Sequence, residues 1–144
     1  MMRVSDNHIS YEIHPDVCAG TIGRDAALPC PVLQMNQVHD VQVAVVDRPD
    51  VTPDELDGFD AMVTNLAGLA IGVRTADCVP ILLYDPVKKS AAAVHSGWRG
   101  TVAKILRNVI TKMSNVYGTQ PSDLIAVIGP GICTDCFQVG EEVA

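Results

Sequence analysis

Two short apolar runs joined by a turn constrain the fold of this chain more than any other feature. The runs Val79–Tyr84 and Ala91–Val94 are continuous, and Asp85-Pro86 and a pair of lysines separate them. Runs of this length between turn residues are typical of buried strands. We therefore predict an antiparallel hairpin, in which the start of the first strand lies beside the end of the second.

A reactive residue type stands at the same end of each predicted strand. Cys78 comes immediately before the first run and His95 immediately after the second. The hairpin would therefore bring both side chains to one edge of the sheet. A thiolate beside an imidazole is the beginning of a zinc or copper site. The same two groups also suit a nucleophilic cysteine with its base, and the sequence leaves both interpretations open.

Other short apolar segments predict further strands. The first of them alternates valines with Gln42 and Ala44, which is typical of a strand with one strongly apolar face. His39 comes just before it. Alone, such a residue is more typical of a structural histidine, and it gains interest only because a cysteine and a second histidine also stand at strand ends. The segments are Val41–Asp47, Asp60–Thr64, Leu69–Val73 and Leu124–Ile128.

The clearest helix follows the hairpin. Apolar residues recur three and four positions apart from Val102 to Val116, which is the pattern of one buried helical face. Gly118 suits the left-handed position that commonly follows a helix. A shorter helical turn is predicted at Thr52–Glu55, where a threonine cap precedes a proline and a glutamate follows.

Glycines on both sides of Trp98 predict a sharp turn between the hairpin and this helix. The helix N-terminus would then face the edge that carries Cys78 and His95. Arg99 adds a positive charge there, which suits phosphate or a developing oxyanion. An equally open interpretation is that Arg99 is exposed or pairs with a structural carboxylate.

Length and composition indicate a single domain over residues 1–144. Residues 1–32 are the least clearly assigned part, and we expect turns and loops there apart from a short strand at Ser10–Ile13. The last residues resemble the start of another helix. We therefore expect a domain that is incomplete at its ends.

Charge and cysteine content exclude several classes of protein. A net charge of −7 argues against nucleic-acid binding, which usually needs a basic face. No apolar run is long enough to cross a bilayer, and no signal peptide is recognisable, so we expect a cytoplasmic protein without a membrane partner. Five cysteines without an export signal argue against a disulfide framework. We expect Cys133 and Cys136 to be reduced thiols, and a structural metal site is the alternative.

Four motifs follow one another along the chain: Gln37-Val38-His39, Thr75–Pro80, His95–Gly100 and Ile128–Gly140. Together they resemble the YfiH family, also called DUF152 or the multicopper polyphenol oxidoreductase (laccase) family. The resemblance covers about residues 33–143. It departs from the family's usual pattern in the last motif, where Cys136 is retained and Cys133 is an additional thiol.

This resemblance implies an α+β fold with mixed β-sheets flanked by helices. It also implies a metal site, most often zinc, with His39, Cys78 and His95 as the ligands. The family's chemistry acts on purine nucleosides, by phosphorolysis of adenosine, inosine or guanosine and by deamination of adenosine. A purine nucleoside and phosphate are therefore the expected partners.

The implied ligand set of two imidazoles and one thiolate suits a catalytic zinc, because a fourth position stays open for water. The candidate catalytic residues are Cys78, His95, Arg99 for phosphate, and Asp77 for proton handling or support of a ligand. Copper-dependent polyphenol oxidation is an alternative, although four histidines are few for a multicopper site. A zinc-stabilised domain that binds a partner without catalysis is another.

Overall fold

The strands of the chain form two separate β-sheets in the computed structural model, which describes residues 1–143. The first sheet is antiparallel and contains β1 (Met2–Ser5), β2 (His8–His14) and β3 (Val17–Ile22). The second sheet contains β4 (Val43–Val46), β5 (Ala61–Thr64), β6 (Val79–Asp85), β7 (Ser90–Ser96) and β8 (Ile125–Ile128). The helices are α1 (Trp98–Val102) and α2 (Ile105–Tyr117).

The second sheet has the strand order β4-β5-β7-β6-β8. Its first pair, β4 and β5, is parallel, whereas every other neighbouring pair is antiparallel. A mixed sheet of this kind packed against α2 is an α+β arrangement, so the predicted fold class is confirmed. No helix within residues 1–143 has both the length and the apolar character that crossing a membrane requires.

The predicted hairpin is formed by β6 and β7. Pro80 lies opposite His95, and Val79 lies opposite Ser96. This register places Cys78, one residue before β6, at the edge where β7 ends. The turn at the far end is stabilised by the buried Asp85 carboxylate, which accepts hydrogen bonds from two backbone N–H groups, at 2.8 and 3.0 Å.

Apolar side chains cover both faces of the second sheet. On one face, α2 buries Ile105, Val109 and Met113 completely, and their spacing of four residues places them on one side of the helix. On the opposite face, a second buried cluster forms around Met35 and Met62. Burial of a large aliphatic side chain contributes about 1.5–3 kcal/mol, so both faces hold the strands in position.

Three predictions about local structure were wrong. Residues 1–32 do not consist mainly of turns and loops, because most of them form the first sheet. Their strands are short and carry few apolar residues, which leaves little periodic signal. The segment Leu69–Val73 forms no strand; its backbone makes only an isolated bridge between Ile71 and Leu33. The final strand, β8, is not buried, since it lies at a sheet edge and Ile128 is 71% exposed.

The predicted helix is interrupted near its beginning. Lys104 adopts a left-handed backbone conformation with φ of 63°, which separates α1 from α2. Apolar periodicity continues across this break and therefore does not reveal it. The other end agrees with the prediction, because Gly118 caps α2 with φ of 73°. The turn Pro53–Leu56 also follows the predicted Thr52 cap and is stabilised by Glu55.

Candidate metal centre

Three side chains from different parts of the chain converge beside the end of the hairpin. His39 belongs to the loop before β4, Cys78 precedes β6, and His95 lies near the end of β7. Their candidate ligand atoms all lie within 4.8 Å of one another. The two imidazole rings meet edge to face, with centroids 4.9 Å apart. The structure thus brings together the three residues that the resemblance implies as ligands.

A fully buried carboxylate organises two of these side chains. Asp60, immediately before β5, accepts hydrogen bonds from the backbone N–H groups of Val38, His39 and Asp40, at 3.0, 2.9 and 3.0 Å. The same carboxylate lies 2.6 Å from Nδ1 of His95. One buried group therefore positions the His39 loop and orients the His95 ring. Asp60 was not predicted as a site residue, because its only signal in the sequence is an acidic residue directly before an apolar strand.

These contacts determine which ring nitrogen of His95 faces the centre. Because the ionised carboxylate of Asp60 can only accept a hydrogen bond, Nδ1 of His95 is the donor, and Nε2 is the ring nitrogen available to a metal. The backbone N–H of His95 also donates to the carbonyl oxygen of Asp60, at 2.7 Å. The imidazole is thus anchored through both its ring and its main chain.

The loop that carries His39 has an unusual backbone conformation. His39 has φ of 63°, in the left-handed region, which is costly for residues other than glycine. Asp60 accepts hydrogen bonds from the backbone N–H groups of His39 and of the residues on either side of it. These hydrogen bonds offset that cost. His39 is therefore directed toward the other two ligands by the loop conformation and not by its position in a strand.

The local environment shifts the pKa values of two nearby acidic side chains in opposite directions. Burial alone would raise the pKa of Asp60, but the hydrogen bonds from His95 and from the backbone outweigh it and lower that pKa. Asp60 therefore remains ionised at neutral pH. Burial, followed by the negative charges of Asp77 and Asp60, raises the pKa of the Cys78 thiol. A nucleophilic cysteine needs a lowered pKa, whereas a metal ion displaces the thiol proton when it binds.

Gly97 lies beside the three candidate ligands, and any larger residue there would extend its side chain into the site. A Cβ atom on Gly97 would lie 3.3 Å from the Cys78 sulfur, 3.3 Å from the His39 ring and 3.9 Å from the His95 ring. The φ of Gly97 is −72°, which any residue can adopt, so space and not backbone conformation requires the glycine. Two imidazoles, a thiolate and this cleared space fit a zinc ion.

The two remaining candidate residues are exposed. Asp77 is exposed, with φ of 84°, and its carbonyl oxygen accepts a hydrogen bond from the backbone N–H of Ile132 at 3.0 Å. Arg99 is also exposed, and its guanidinium carbon lies 4.6 Å from the centroid of the Trp98 ring. No salt bridge involves Arg99 within the part of the chain that the structure describes. Its role toward an anion stays a prediction.

Comparison with known proteins places this arrangement in a family. The family model described as multi-copper polyphenol oxidoreductase laccase matches residues 19–144. The chain belongs to this family. Among solved structures of similar fold is the YfiH protein of Bacillus licheniformis, which covers 78% of this chain with a TM-score of 0.72 and 30% identity. A Neisseria meningitidis protein assigned to DUF152 has a TM-score of 0.63 and 34% identity over the same share. Each match covers 44% of the solved chain.

Curated relatives of this laccase family member have names that refer to purine nucleosides. A protein named adenosine deaminase, from an unknown prokaryotic organism, is 46% identical over 74% of this chain and 43% of its own length. A protein of Streptomyces coelicolor named purine nucleoside phosphorylase is 40% identical over 97% of this chain and 56% of its own length. The chain thus spans about half the length of these relatives.

Proposed function

We propose that this chain provides the zinc centre of an enzyme that acts on purine nucleosides, with His39, Cys78 and His95 as the ligands. The observation that carries the proposal is the convergence of these three donor side chains, with a buried, ionised Asp60 that holds the His95 ring. A carboxylate that orients a ligand histidine is the usual support of a metal site in proteins. The relatives named adenosine deaminase and purine nucleoside phosphorylase supply the substrate class.

Zinc bound by three protein ligands would supply an acidic water and a centre that polarises a substrate oxygen or nitrogen. The chain's own residues do the rest. Asp60 holds the proton on Nδ1 of His95, so that this histidine keeps one orientation throughout the reaction. Gly97 keeps the space between the ligands free of a side chain. Asp77, exposed beside Cys78, is our candidate for proton handling or for support of a ligand.

The two named reactions of the relatives place different demands on the site. Deamination of adenosine needs an activated water, whereas phosphorolysis needs phosphate to be held close to the sugar–base bond. Arg99 is our candidate for binding phosphate, because its guanidinium is exposed and bidentate contact with phosphate is a common use of arginine. The proposal covers both reactions, with deamination depending less on Arg99.

Copper-dependent polyphenol oxidation is a weaker candidate, although the family's name contains it. Several coppers require many histidine ligands, and the chain has four histidines in total. Within residues 1–143, His39, Cys78 and His95 form the one group of three or more side chains suited to a metal. A zinc-stabilised binding domain is the other alternative, and a closed coordination sphere without exchangeable water would favour it.

Metal analysis and product analysis together test the proposal. We expect about one zinc per chain, and loss of most of it in Cys78→Ala, because the thiolate is a ligand. Asn115→Ala, an exposed change on α2, is the matched control and should retain the metal. Incubation of the zinc-loaded protein with adenosine, with and without phosphate, followed by chromatography, distinguishes inosine from adenine as product.

Arg99→Ala separates the two reactions. It should decrease formation of adenine from adenosine and phosphate more than formation of inosine, because only the first reaction uses phosphate. Equal losses of both products would remove Arg99 from the phosphate role. Full zinc content and full turnover in Cys78→Ala would contradict the metal centre itself.

A further inference from the structure

A pair of cysteine sulfur atoms lies outside the candidate metal centre. Cys133 precedes a surface 3-10 turn at Thr134–Cys136 and Cys136 ends it, and both cysteine side chains are exposed. The backbone N–H of Cys136 donates to the carbonyl oxygen of Cys133 at 3.2 Å. A turn of this type advances about 2 Å per residue, so the two Cα atoms lie about 6 Å apart. This separation is within the range that a disulfide requires, about 4.4–6.8 Å.

The two thiols are chemically unequal. The adjacent Cys136 side chain, followed by the Cys136 backbone, lowers the pKa of Cys133. The same interaction between the side chains raises the pKa of Cys136. A thiol with a lowered pKa that is exposed and adjacent to a second thiol is the arrangement of reactive dithiols. Cys133 would therefore attack first, and Cys136 would resolve the product.

The turn is held on a defined part of the fold. The backbone N–H of Ile132 donates to the carbonyl oxygen of Asp77, at 3.0 Å. A Cβ atom on Gly131 would lie only 2.9 Å from a methyl carbon of Val79, so Gly131 packs directly against that side chain. The dithiol therefore projects from a segment anchored beside β6, where both sulfur atoms remain accessible to small molecules in solvent.

We propose that Cys133 and Cys136 form a redox-active dithiol site that exchanges reversibly with low-molecular-weight disulfides such as oxidised glutathione. In the first step, the Cys133 thiolate attacks one sulfur of the small disulfide, forms a mixed disulfide and releases one small thiolate. In the second step, the Cys136 thiolate attacks the Cys133 sulfur, and the second small thiolate leaves. The protein thus loses two electrons and two protons, which the small disulfide receives as it becomes two thiols.

Trapping the oxidised species tests this proposal. The protein is prepared with Cys18→Ser and Cys30→Ser, two exposed positions, in the presence of a chelator, and is then incubated with oxidised glutathione and alkylated. We expect the peptide that contains both cysteines to lose the mass of two hydrogens and to regain both labels after dithiothreitol. Cys133→Ser and Cys136→Ser, each in this background, should instead stop at the glutathione adduct.

Competition with a limiting amount of iodoacetamide tests the inequality of the pair. Cys133 should be labelled several-fold faster than Cys136 in the reduced protein, because thiolate is the reactive form. A pair that accumulates two glutathione adducts, or that stays fully alkylatable in excess oxidised glutathione, would overturn the proposal. Protection of both thiols from alkylation by added zinc, with no disulfide formed after its removal, would also overturn it and assign the pair to metal binding.

Discussion

The two sheets of this protein differ sharply in how much of their structure is buried. In the second sheet, β5 is completely buried and β7 nearly so, and this sheet carries the candidate metal ligands His95 and Cys78 at one edge. In the first sheet, β1 is exposed along its whole length, and Tyr11 is the one buried hydrophobic residue among the three strands. Chemistry that depends on fixed geometry is therefore associated with the sheet that packing holds most firmly.

The attachment between the sheets is also weak. It includes an ion pair between the exposed side chains of Lys89 and Asp16 and a contact between the rings of His14 and Tyr84, whose centroids are 5.4 Å apart. An exposed ion pair of this kind contributes little to stability, because solvent screens it. We therefore expect substitutions in the second sheet to affect stability and metal binding strongly, and substitutions in the first sheet to affect them little.

The largest expected effect is that of Asp60→Ala. This change leaves three backbone N–H groups and the His95 ring without their hydrogen-bond acceptor. Removal of one partner from a buried charged interaction lowers the free energy of unfolding by about 3–5 kcal/mol. Urea denaturation should show this loss, and elemental analysis should show that zinc is lost with it. Asp60→Asn is the matched control, because an amide retains one acceptor oxygen and should lose less stability.

Asp60 also predicts how acid affects the protein. Its pKa is lower in the folded state than its ordinary value of 3.8, so the unfolded chain binds the proton more tightly. The stability that the carboxylate contributes is complete above that ordinary value and decreases as the pH falls through the lower pKa of the folded state. Urea denaturation at successive pH values below about 5 should measure this. The free energy of unfolding should decrease more steeply with falling pH for the native chain than for Asp60→Asn.

The next largest effect is expected from a substitution that creates a cavity beneath α2. Met113→Ala removes a fully buried side chain from the core between α2 and the second sheet, which should cost about 2–5 kcal/mol. Val116→Ala, on the exposed side of the same helix, is the control and should change stability by less than about 0.5 kcal/mol. Both variants should bind zinc at temperatures where they are folded. Equal destabilisation by the two changes would contradict the packing described here.

Gly97→Ala should affect the metal centre more than the stability of the hydrophobic core. Its backbone conformation allows alanine, but the added Cβ would lie 3.3 Å from the Cys78 sulfur and from the His39 ring. Overpacking costs about 1–3 kcal/mol, and we expect the larger effect on metal affinity. Titration with Co²⁺, followed by its absorption spectrum, measures this without reference to activity. An unchanged affinity and spectrum would show that the space beside Gly97 is not needed for the metal.

The smallest effect is expected in the first sheet. Tyr11→Phe removes the hydrogen bond between the Tyr11 hydroxyl and Thr21, which are 2.8 Å apart, at a cost of about 0.5–1.5 kcal/mol. Zinc content and the Co²⁺ spectrum should remain those of the unchanged protein. A loss of metal comparable to that of Gly97→Ala would show that the two sheets are coupled more tightly than their contacts indicate.

Sequence patterns predicted the parts of this protein whose interactions are local. The hairpin of β6 and β7 is closed by a short turn, so its register brings Cys78 close to His95 without help from distant residues. The buried face of α2 and its cap at Gly118 likewise follow from periodicity and backbone preference within one segment. The break at Lys104 was not predicted, because a left-handed lysine has no sequence signal comparable to that of glycine.

The sequence by itself thus determined the hairpin, the helical face and the types of side chain available as ligands. Tertiary structure alone decided that Asp60 would organise them, because its hydrogen bonds reach His39, 21 residues away, and His95, 35 residues away. Such contacts depend on how β4, β5 and β7 align, and no local propensity encodes that alignment. The first sheet is the converse case, since its exposed strands lack the apolar alternation that makes a strand recognisable from sequence.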